Sequence, residues 1–403
     1  METKKKHIVV IGAGYGGITA VLRLAKQFSR QSEIQVHLVD KNNYHLLKTQ
    51  LHEAATGKKQ VAIPIDRLLR RYNIVFHLDE VTGIEPDRKF IHTEHGQLHF
   101  DILVLALGSQ TNFYGIPGLS EHAFTLQSLR DVQGIHDHIS KHCALAASEP
   151  NEQNRKAILR FVIGGGGLSG VELAAEIADL SARCTRSHRV NSAEAEIIII
   201  EAGTSLLPHL GESLSERVKR ELSEKGVTIM TDTKIISLSA DAVTLSSGKT
   251  LMTKTLVWTG GIQITDMFKE SQIKTGGLGR ILVDEYLRAV DYPFIYAVGD
   301  NALAINPITG KPVPTSAQFA LQEGKLVADN IHATTVGTKC KPYAPSAMGE
   351  VVGLGRHLAA GWLALPFKKK LSFAGYMASL IGTAIQEKHI FQLRKLSRNW
   401  TMR

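Results

Sequence analysis

The 403-residue sequence is poor in cysteine and contains no long hydrophobic run, and each absence excludes a class of protein. Its three cysteines, Cys143, Cys184 and Cys340, are too few and too scattered for a disulfide framework, and no CxxC pair is present to hold a metal. The histidine-rich segment 136–142 has no second ligand cluster, so we expect no metal site. No uninterrupted apolar stretch reaches about 18 residues, so we expect no transmembrane helix.

The net charge of +9 is concentrated at the C-terminus, so the body of the chain is near neutral and no nucleic-acid partner is expected. Residues 371–385 are apolar but too short to span a bilayer, and cations flank them on both sides, which is typical of a segment that binds an anionic membrane surface. A dimer contact or a packed core helix would explain the same composition. From residue 367 onward Glu387 is the only acid, and the cations are Lys368, Lys369, Lys370, Lys388, Arg394, Lys395, Arg398 and Arg403.

Glycine, in contrast, is placed in two fingerprints about 150 residues apart. In the first, Gly12, Gly14 and Gly17 follow the apolar strand 8–11, and Asp40 closes the next strand. One glycine makes a tight turn, another lets the backbone approach a pyrophosphate, and the third lets helix pack on strand, while the helix N-terminus faces the anion. An acid at the end of the second strand accepts hydrogen bonds from a ribose.

The second fingerprint has Gly165, Gly167 and Gly170 after strand 161–163, with Glu201 closing strand 197–200. A carboxylate at this position repels a 2′-phosphate, and no arginine stands beside it, so the pattern favours NADH over NADPH. Two complete fingerprints predict that two dinucleotides are held on one chain, which suggests electron transfer between them.

Strands alternate with helices along most of the chain, which predicts an α/β protein with two Rossmann-like doubly wound domains. The segment 142–155 is rich in Ala, Ser, Asn and Glu and is interpreted as an exposed linker. Asp300 follows Gly299 at a strand end, where its carboxylate could bind the polyol of a flavin or merely cap the next helix.

Several further segments, in the same order along the chain, resemble type II NADH dehydrogenase, the single-subunit, non-pumping NADH:quinone oxidoreductase of the two-dinucleotide-binding-domain flavoproteins. These segments are residues 44–48, 51–57, 105–112, 115–118, 257–261, 296–300 and 317–324. They extend the resemblance from the start of the chain to about residue 335, and segment 317–324 is the most discriminating of them.

The resemblance implies non-covalent FAD at the first fingerprint and NADH, as substrate, at the second. It also implies a domain order: an FAD-binding domain at 1–118 and 265–336, interrupted by an NADH-binding domain at 119–264, and a membrane-association region at 337–403. The residues implied in FAD binding, besides the glycines and acids above, are Lys48, Gly108, Ala317 and Gln318, and Gly261 is implied in NADH binding.

For catalysis the resemblance implies that Gln318 and Gln322 line the quinone entrance and that Glu172 manages protons near the flavin. The two glutamines are four residues apart and therefore share one helix face. The alternatives are a polar helix face in water for the glutamines, a helix-dipole role in the first helical turn for Glu172, and a solvated lysine for Lys48.

The predicted function is hydride transfer from NADH to FAD and transfer of two electrons to a membrane quinone, menaquinone, without proton pumping. The enzyme is expected to be a homodimer bound peripherally to the cytoplasmic face of the cell membrane. One alternative is an enzyme resembling sulfide:quinone oxidoreductase, which uses cysteines beside the flavin. Another is a flavin-bearing, NADH-responsive binding protein resembling apoptosis-inducing factor.

Overall fold

The first half of the chain alternates strands with helices as predicted. The computed structural model describes residues 5–365 and 370–397. The elements up to residue 111 are β1 Lys6–Ile11, α1 Tyr15–Gln27, β2 Ile34–Asp40, β3 Tyr44–Leu46, α2 Leu51–Ala54, β4 Ala62–Pro64, α3 Ile65–Leu69, β5 Ile74–Leu78, β6 Val81–Glu85, β7 Phe90–Thr93, β8 Gly96–His99, β9 Ile102–Leu105 and β10 Gln110–Thr111.

The middle of the chain repeats this alternation around the second fingerprint. Its elements are α4 Leu119–His122, β11 Phe124–Thr125, α5 Leu129–Ser148, α6 Glu152–Ile158, β12 Arg160–Gly164, α7 Leu168–Ser187, β13 Glu196–Ile200, α8 Glu212–Glu224, β14 Val227–Met230, β15 Ile235–Leu238, β16 Ala242–Leu245, β17 Thr250–Met252, β18 Thr255–Trp258 and β19 Ile262–Gln263.

The last part is α9 Met267–Glu270, β20 Ile281–Leu282, β21 Ile295–Ala297, β22 Ala302–Leu303, α10 Ala317–Val336, β23 Gly349–Gly353, β24 Ala359–Ala364, β25 Lys370–Gly375 and α11 Tyr376–Ser397.

Two five-stranded parallel sheets carry the two fingerprints. The first has the strand order β21-β9-β1-β2-β5, and the second has the order β11-β18-β12-β13-β14. Both central strands, β1 and β12, are apolar and buried after a polar, partly buried start, as expected for strands covered on both faces. Strand β21 completes the first sheet only after the chain has built the second, so the first domain is interrupted by the second, as predicted. The domain boundaries themselves stay predictions.

Two short antiparallel strands join the domains where the chain crosses between them. Strand β10 leaves the first domain and β19 returns to it, and Gln110 pairs with Gln263 in this ladder. Three-stranded antiparallel sheets, β6-β7-β8 and β15-β16-β17, extend the two domains, and a third, β23-β24-β25, lies near the C-terminus.

Helices α1 and α10 pack in close contact within the first domain. A Cβ added at Gly324 of α10 would lie 2.3 Å from the carbonyl oxygen of Gly16 on α1, so only glycine fits there. This close approach holds the start of α10 against the helix that follows the first glycine loop.

The interpretation of residues 142–155 as an exposed linker is wrong. Helix α5 continues to Ser148 and buries Cys143 and Ala146, and α6 follows after a short connection. Ala, Ser and Glu are compatible with a helix when one stripe of small residues packs on the core, and here that stripe lies against α7. Ser128 and Asp131 form a reciprocal capping box that starts α5.

The apolar C-terminal stretch forms two elements rather than one. Residues 370–375 are the outer strand β25, and helix α11 begins at Tyr376. The inner face of α11 buries Ala378, His389, Ile390 and Leu393. Its outer face, with β25, exposes Leu371, Tyr376, Met377 and Leu380. The predicted cations Lys368, Lys369, Arg398 and Arg403 lie outside the described residues.

Within the described parts of the chain, no helix combines the length and the apolar character needed to cross a bilayer. The expected membrane-binding role of the C-terminal region stays a prediction.

Candidate functional site

One large cavity, of about 1760 Å³, extends from the first glycine loop to the second. Gly14 and Gly167, which precede helices α1 and α7, both line it. Gln318 at the start of α10 forms another part of its wall, and α11 covers a further side through residues that include His389. The fold therefore brings both fingerprints and the predicted glutamine helix to one space.

Each glycine of the first loop meets a different steric demand. Gly12 has φ +98°, and a Cβ there would lie 2.3 Å from the carbonyl oxygen of Ala106. A Cβ on Gly17 would lie 1.8 Å from the carbonyl oxygen of Gly12, so this glycine permits the helix to pack on the strand. No protein atom lies within 4 Å of a Cβ built at Gly14, so its backbone faces open cavity.

Asp40 braces this loop as well as facing the cavity. Its Oδ2 accepts the N–H of Ala13 at 2.6 Å, and its Oδ1 accepts the N–H of Asn42 at 2.7 Å. Burial raises the pKa of Asp40, and these hydrogen bonds oppose the rise. A carboxylate has about four acceptor positions, so lone pairs are left for a ligand hydroxyl.

The second loop repeats this geometry. Gly165 has φ +111° and lies against Gly260, and a Cβ on Gly170 would lie 1.9 Å from the carbonyl oxygen of Gly165. Glu201 accepts the N–H of Gly166 at 2.6 Å with Oε2, and that of Gly203 at 2.6 Å with Oε1. Glu201, the acid from which the sequence predicted an NADH site, therefore also holds the second glycine loop in place.

Among the second-site residues, Gly167 lines the cavity, whereas Gly165, Gly170, Glu201 and Gly261 are not on its wall. A Cβ on Gly261 would lie 2.2 Å from the hydroxyl of Tyr114, so the side chain of Tyr114 covers this glycine. Tyr114 itself is exposed and has φ +51°.

The Gly299–Asp300 turn is tied to the loop at Gly108. Asp300 accepts the hydroxyl hydrogen of Ser109 at 2.6 Å. Fully buried Asn301 donates to the carbonyl oxygen of Gly108 at 2.7 Å and accepts its N–H at 3.2 Å. The predicted flavin residues Gly108 and Asp300 are thus brought together, and Asn301, which the sequence analysis missed, fixes their distance. Its only sequence signal was its position directly after Asp300.

Lys48 lies on the cavity wall and donates from Nζ to Oε1 of Gln127 at 3.1 Å. Desolvation lowers its pKa, while the nearby carboxylates of Asp300, Asp131 and Asp40 act in the opposite direction. Lys48 is exposed on this wall, so the solvated-lysine alternative stays open beside a role in supplying positive charge to a bound anion.

Helix α10 begins at the cavity without a side-chain cap. Ser316 stands at the N-cap position, but its Oγ is buried and has no hydrogen-bond partner in the described parts of the chain. No acidic residue lies in the first turn. The free N–H groups at Ala317 and the residues after it therefore present partial positive charge to the cavity.

The glutamines Gln318 and Gln322 share one helix face, as predicted, but that face is not in bulk water. Gln318 accepts the N–H of Met348 at 3.1 Å and donates to the carbonyl oxygen of Gly349 at 3.2 Å. Gln322 donates to the carbonyl oxygens of Gln318 and Ser346, which occupy both of its amide hydrogens. Gln318 keeps one amide hydrogen for a ligand, whereas Gln322 mainly holds the backbone at Ser346.

Glu172 is a deeply placed carboxyl group on the cavity wall. Burial raises its pKa to about 8, and the carboxylates of Glu53, Glu176 and Glu350 add to the rise. Its Oε1 accepts the N–H of Gly353 at 3.0 Å. Its Oε2 lies 3.3 Å from Nδ1 of His52, whose own pKa burial lowers to about 4, so this histidine is neutral.

The alternative role of Glu172, in the first turn of its helix, is wrong. Helix α7 begins at Leu168, before the last glycine of the fingerprint, so Glu172 is its fifth residue and no acid stands in the first turn. The helix starts early because Gly170 must lie inside it to pack against Gly165.

The sequence analysis also missed two histidines, His389 on the cavity wall and His45 next to it. His45 is fully buried, and its Nδ1 bonds the carbonyl oxygen of Ala13 at 2.7 Å. Its Nε2 lies 3.3 Å from Nε2 of His389, which joins α11 to the first glycine loop. Burial lowers the pKa of His45 to about 4. No local sequence signal relates residues 344 positions apart.

None of the three cysteines lines the cavity. Cys143 is buried, with the side chain of partly buried Cys184 beside it, and Cys340 is partly buried at another position. The cavity thus has no cysteine that could act beside a flavin, which is the feature that the sulfide:quinone oxidoreductase alternative requires.

Comparison with known proteins gives consistent matches along the chain. The pyridine nucleotide-disulphide oxidoreductase family matches residues 6–324. A type II NADH:quinone oxidoreductase of Staphylococcus aureus (strain MSSA476) is 30% identical over 400 residues, covering 98% of this chain and 97% of that protein. An NDH2 of Plasmodium falciparum, solved in complex with NADH, has a TM-score of 0.85 at 20% identity, covering 98% of this chain and 97% of that one. A sulfide:quinone oxidoreductase of Aquifex aeolicus has a TM-score of 0.78 at 20% identity, covering 97% and 92%.

Proposed function

Because the chain belongs to the pyridine nucleotide-disulphide oxidoreductases and, among them, to the type II NADH:quinone oxidoreductases, we propose that it oxidises NADH through a bound FAD and reduces menaquinone at a membrane surface. The observation that carries this proposal is the single cavity that connects Gly14, Gly167 and Gln318. One space reached by both glycine loops permits two dinucleotides to meet at close range, and direct hydride transfer requires such contact.

The residues on the first side of the cavity fit FAD. Gly14 leaves open space for a pyrophosphate at the uncapped N-terminus of α1. Asp40 keeps acceptor positions for a ribose, and Asp300 lies where a carboxylate can bind the polyol. Uncapped α10, with the unpartnered hydroxyl of Ser316, supplies donors for the ring system. When bound, the flavin accepts hydride from NADH and passes two electrons to the quinone.

On the second side we assign Gly165, Gly167 and Gly170 to the pyrophosphate of NADH and Glu201 to its adenosine ribose. Glu201 is held by two backbone N–H groups, which leaves a charged oxygen pair that repels a 2′-phosphate. We also assign Gly261 to NADH binding; the side chain of Tyr114 covers this glycine.

We assign Glu172 to proton storage beside the reacting groups. With a pKa near 8, this carboxyl group holds a proton at neutral pH and can give it to a basic oxygen of the reduced quinone. Gln318 orients a quinone carbonyl through its remaining amide hydrogen, and Gln322 supports the wall at Ser346. Lys48 balances negative charge within the cavity.

Attachment to the cytoplasmic face of the cell membrane is part of the proposal. The exposed side chains of Leu371, Tyr376, Met377 and Leu380 form an apolar surface on β25 and α11. Lys370, beside them, has its ammonium 4.2 Å from the ring centroid of Trp362. An apolar surface with adjacent cations suits an anionic lipid interface. A homodimer is also proposed, and native mass measurement in detergent tests it.

The deciding experiment is anaerobic reduction of the purified flavoprotein by NADH, followed by reoxidation with a panel of quinones that includes menaquinone. We expect fast bleaching of the flavin by NADH, slower bleaching by NADPH, and fast reoxidation by quinone. Quinone reduction driven by sulfide but not by NADH would overturn the proposal. Slow reduction by NADH with no quinone-dependent reoxidation would instead support the binding-protein alternative.

A further inference from the structure

Glu323 is a buried carboxyl group that the mechanism above does not use. It lies on α10, is 1% exposed, and its Oε2 accepts the N–H of Gly299 at 2.6 Å. Gly299 has φ +66° and begins the turn that carries Asp300. Within residues 5–365 and 370–397, Glu323 forms no ion pair. A desolvated carboxyl group without an ion-pair partner favours its protonated form.

The charged and titratable groups that face Glu323 come from three segments of the chain. Arg280 lies close enough to lower the pKa of Glu323, but its guanidinium donates to the carbonyl oxygens of Ala302 and Val313. The hydroxyl of Tyr343 also lowers this pKa, and Asp300 raises it. Burial is the largest effect, and the pKa of Glu323 is raised to about 8.

We propose that Glu323 is a redox-linked proton acceptor in alkaline solution, where its carboxyl group is ionised: it binds one proton when negative charge builds up at the cavity wall beside Ala317 and releases it when that charge leaves. This inference rests on the proposed function, in which NADH supplies the electrons and quinone removes them. The proton comes from solvent, forms an O–H bond on the Glu323 carboxylate, and returns to solvent on reoxidation. No bond forms between Glu323 and the flavin.

The distance between Ala317 and Glu323 allows the effect of such a charge on proton binding at Glu323 to be estimated. Ala317 and Glu323 are six residues apart on one helix, a rise of about 9 Å. At an effective dielectric constant of about 20, a unit negative charge at about 10 Å strengthens proton binding by on the order of tenfold. A proton taken up here offsets negative charge at that wall through space, without entering the cavity, so Glu323 does not touch the reacting groups.

The test is the midpoint potential of the bound flavin, measured by spectroelectrochemistry from pH 6 to pH 10 without NADH or quinone. From about pH 8, and over roughly the one pH unit that a tenfold coupling spans, the wild-type potential should fall more steeply by one extra proton per two electrons, which is about 30 mV per pH unit. Glu323→Gln, which keeps an acceptor for the N–H of Gly299, should lack this bend.

Two further variants keep the result decisive if Glu323→Gln does not fold. Tyr343→Phe removes the hydroxyl that lowers the pKa of Glu323, so the bend should move to higher pH. Asp329→Asn changes an acid on the same helix that pairs with Arg23 instead, and the bend should stay in place. A bend that persists in Glu323→Gln, does not move in Tyr343→Phe, or is lost in Asp329→Asn would overturn the inference. Failure to retain flavin would count against the proposed function instead.

Discussion

The contact between α1 and α10 is the most sensitive structural test of the site, because it joins the first glycine loop to the helix of Gln318. Alanine at a helical position is intrinsically better than glycine by about 1 kcal/mol. In Gly324→Ala, however, the new Cβ would lie 2.3 Å from the carbonyl oxygen of Gly16 and 3.0 Å from its carbonyl carbon. Both are backbone atoms, so the two helices must separate by about 1 Å, and overpacking of this kind costs about 1–3 kcal/mol.

We therefore expect Gly324→Ala to be up to about 2 kcal/mol less stable than wild type, which is the overpacking cost less the gain in helix propensity, and to lose flavin more easily. The assay is the apparent thermal midpoint, with flavin release followed by fluorescence on the same sample. Gly134→Ala is the matched control, because Gly134 also lies inside a helix but a Cβ there meets only a ring carbon of Phe124 at 3.9 Å. A Gly324→Ala protein as stable as Gly134→Ala, with flavin retained, would refute the packing argument.

Three further predictions concern the quinone, the membrane and acid stability. Gln318→Ala should slow flavin reoxidation by quinone about tenfold, because roughly one hydrogen bond to the quinone is lost, and should leave reduction by NADH nearly unchanged. An equal loss in both half-reactions would contradict the assignment. Replacing both Leu371 and Met377 by Gln should abolish sedimentation with anionic vesicles, while Ile308→Gln, at a site that is 78% exposed, should not; unchanged binding of the double variant would exclude this surface. Burial lowers the folded-state pKa of His45 to about 4 from the usual value near 6.5, so the unfolded chain binds the proton first and stability falls as pH drops from about 6.5 to 4. The loss is about 3 kcal/mol, and denaturant titrations should show a weaker pH dependence in His45→Asn; an identical dependence would contradict it.

The glycine fingerprints were predictable because their requirements are local. Gly12 is needed because the turn gives it φ +98°, and Gly17 is needed because a Cβ there would lie 1.8 Å from the carbonyl oxygen of Gly12. Both requirements follow from a strand, a turn and a helix in sequence. The acid at the end of the next strand is part of the same unit. Hence Asp40 and Glu201 could be paired with their glycines from spacing alone.

The linker interpretation at residues 142–155 failed because the burial of this segment depends on a distant part of the chain. Composition describes which residues tolerate exposure, but Cys143 and Ala146 are buried because α7 lies beside them, and α7 is more than 20 residues away in sequence. The stripe of small residues indicates a packed helix only once α7 is known to cover it.

The sequence alone established two nucleotide-binding units, their acids and the helix face of Gln318 and Gln322, since each depends on residues within one supersecondary unit. Tertiary structure alone decided which of these groups share a cavity and how each is charged. Glu172 has a raised pKa because the fold buries it and brings the carboxylates of Glu53 and Glu350 near it from other segments. His389 reaches His45 only when α11 folds back on the first domain. Desolvation and charge–charge interactions depend on distances in space, and a sequence without its fold does not contain those distances.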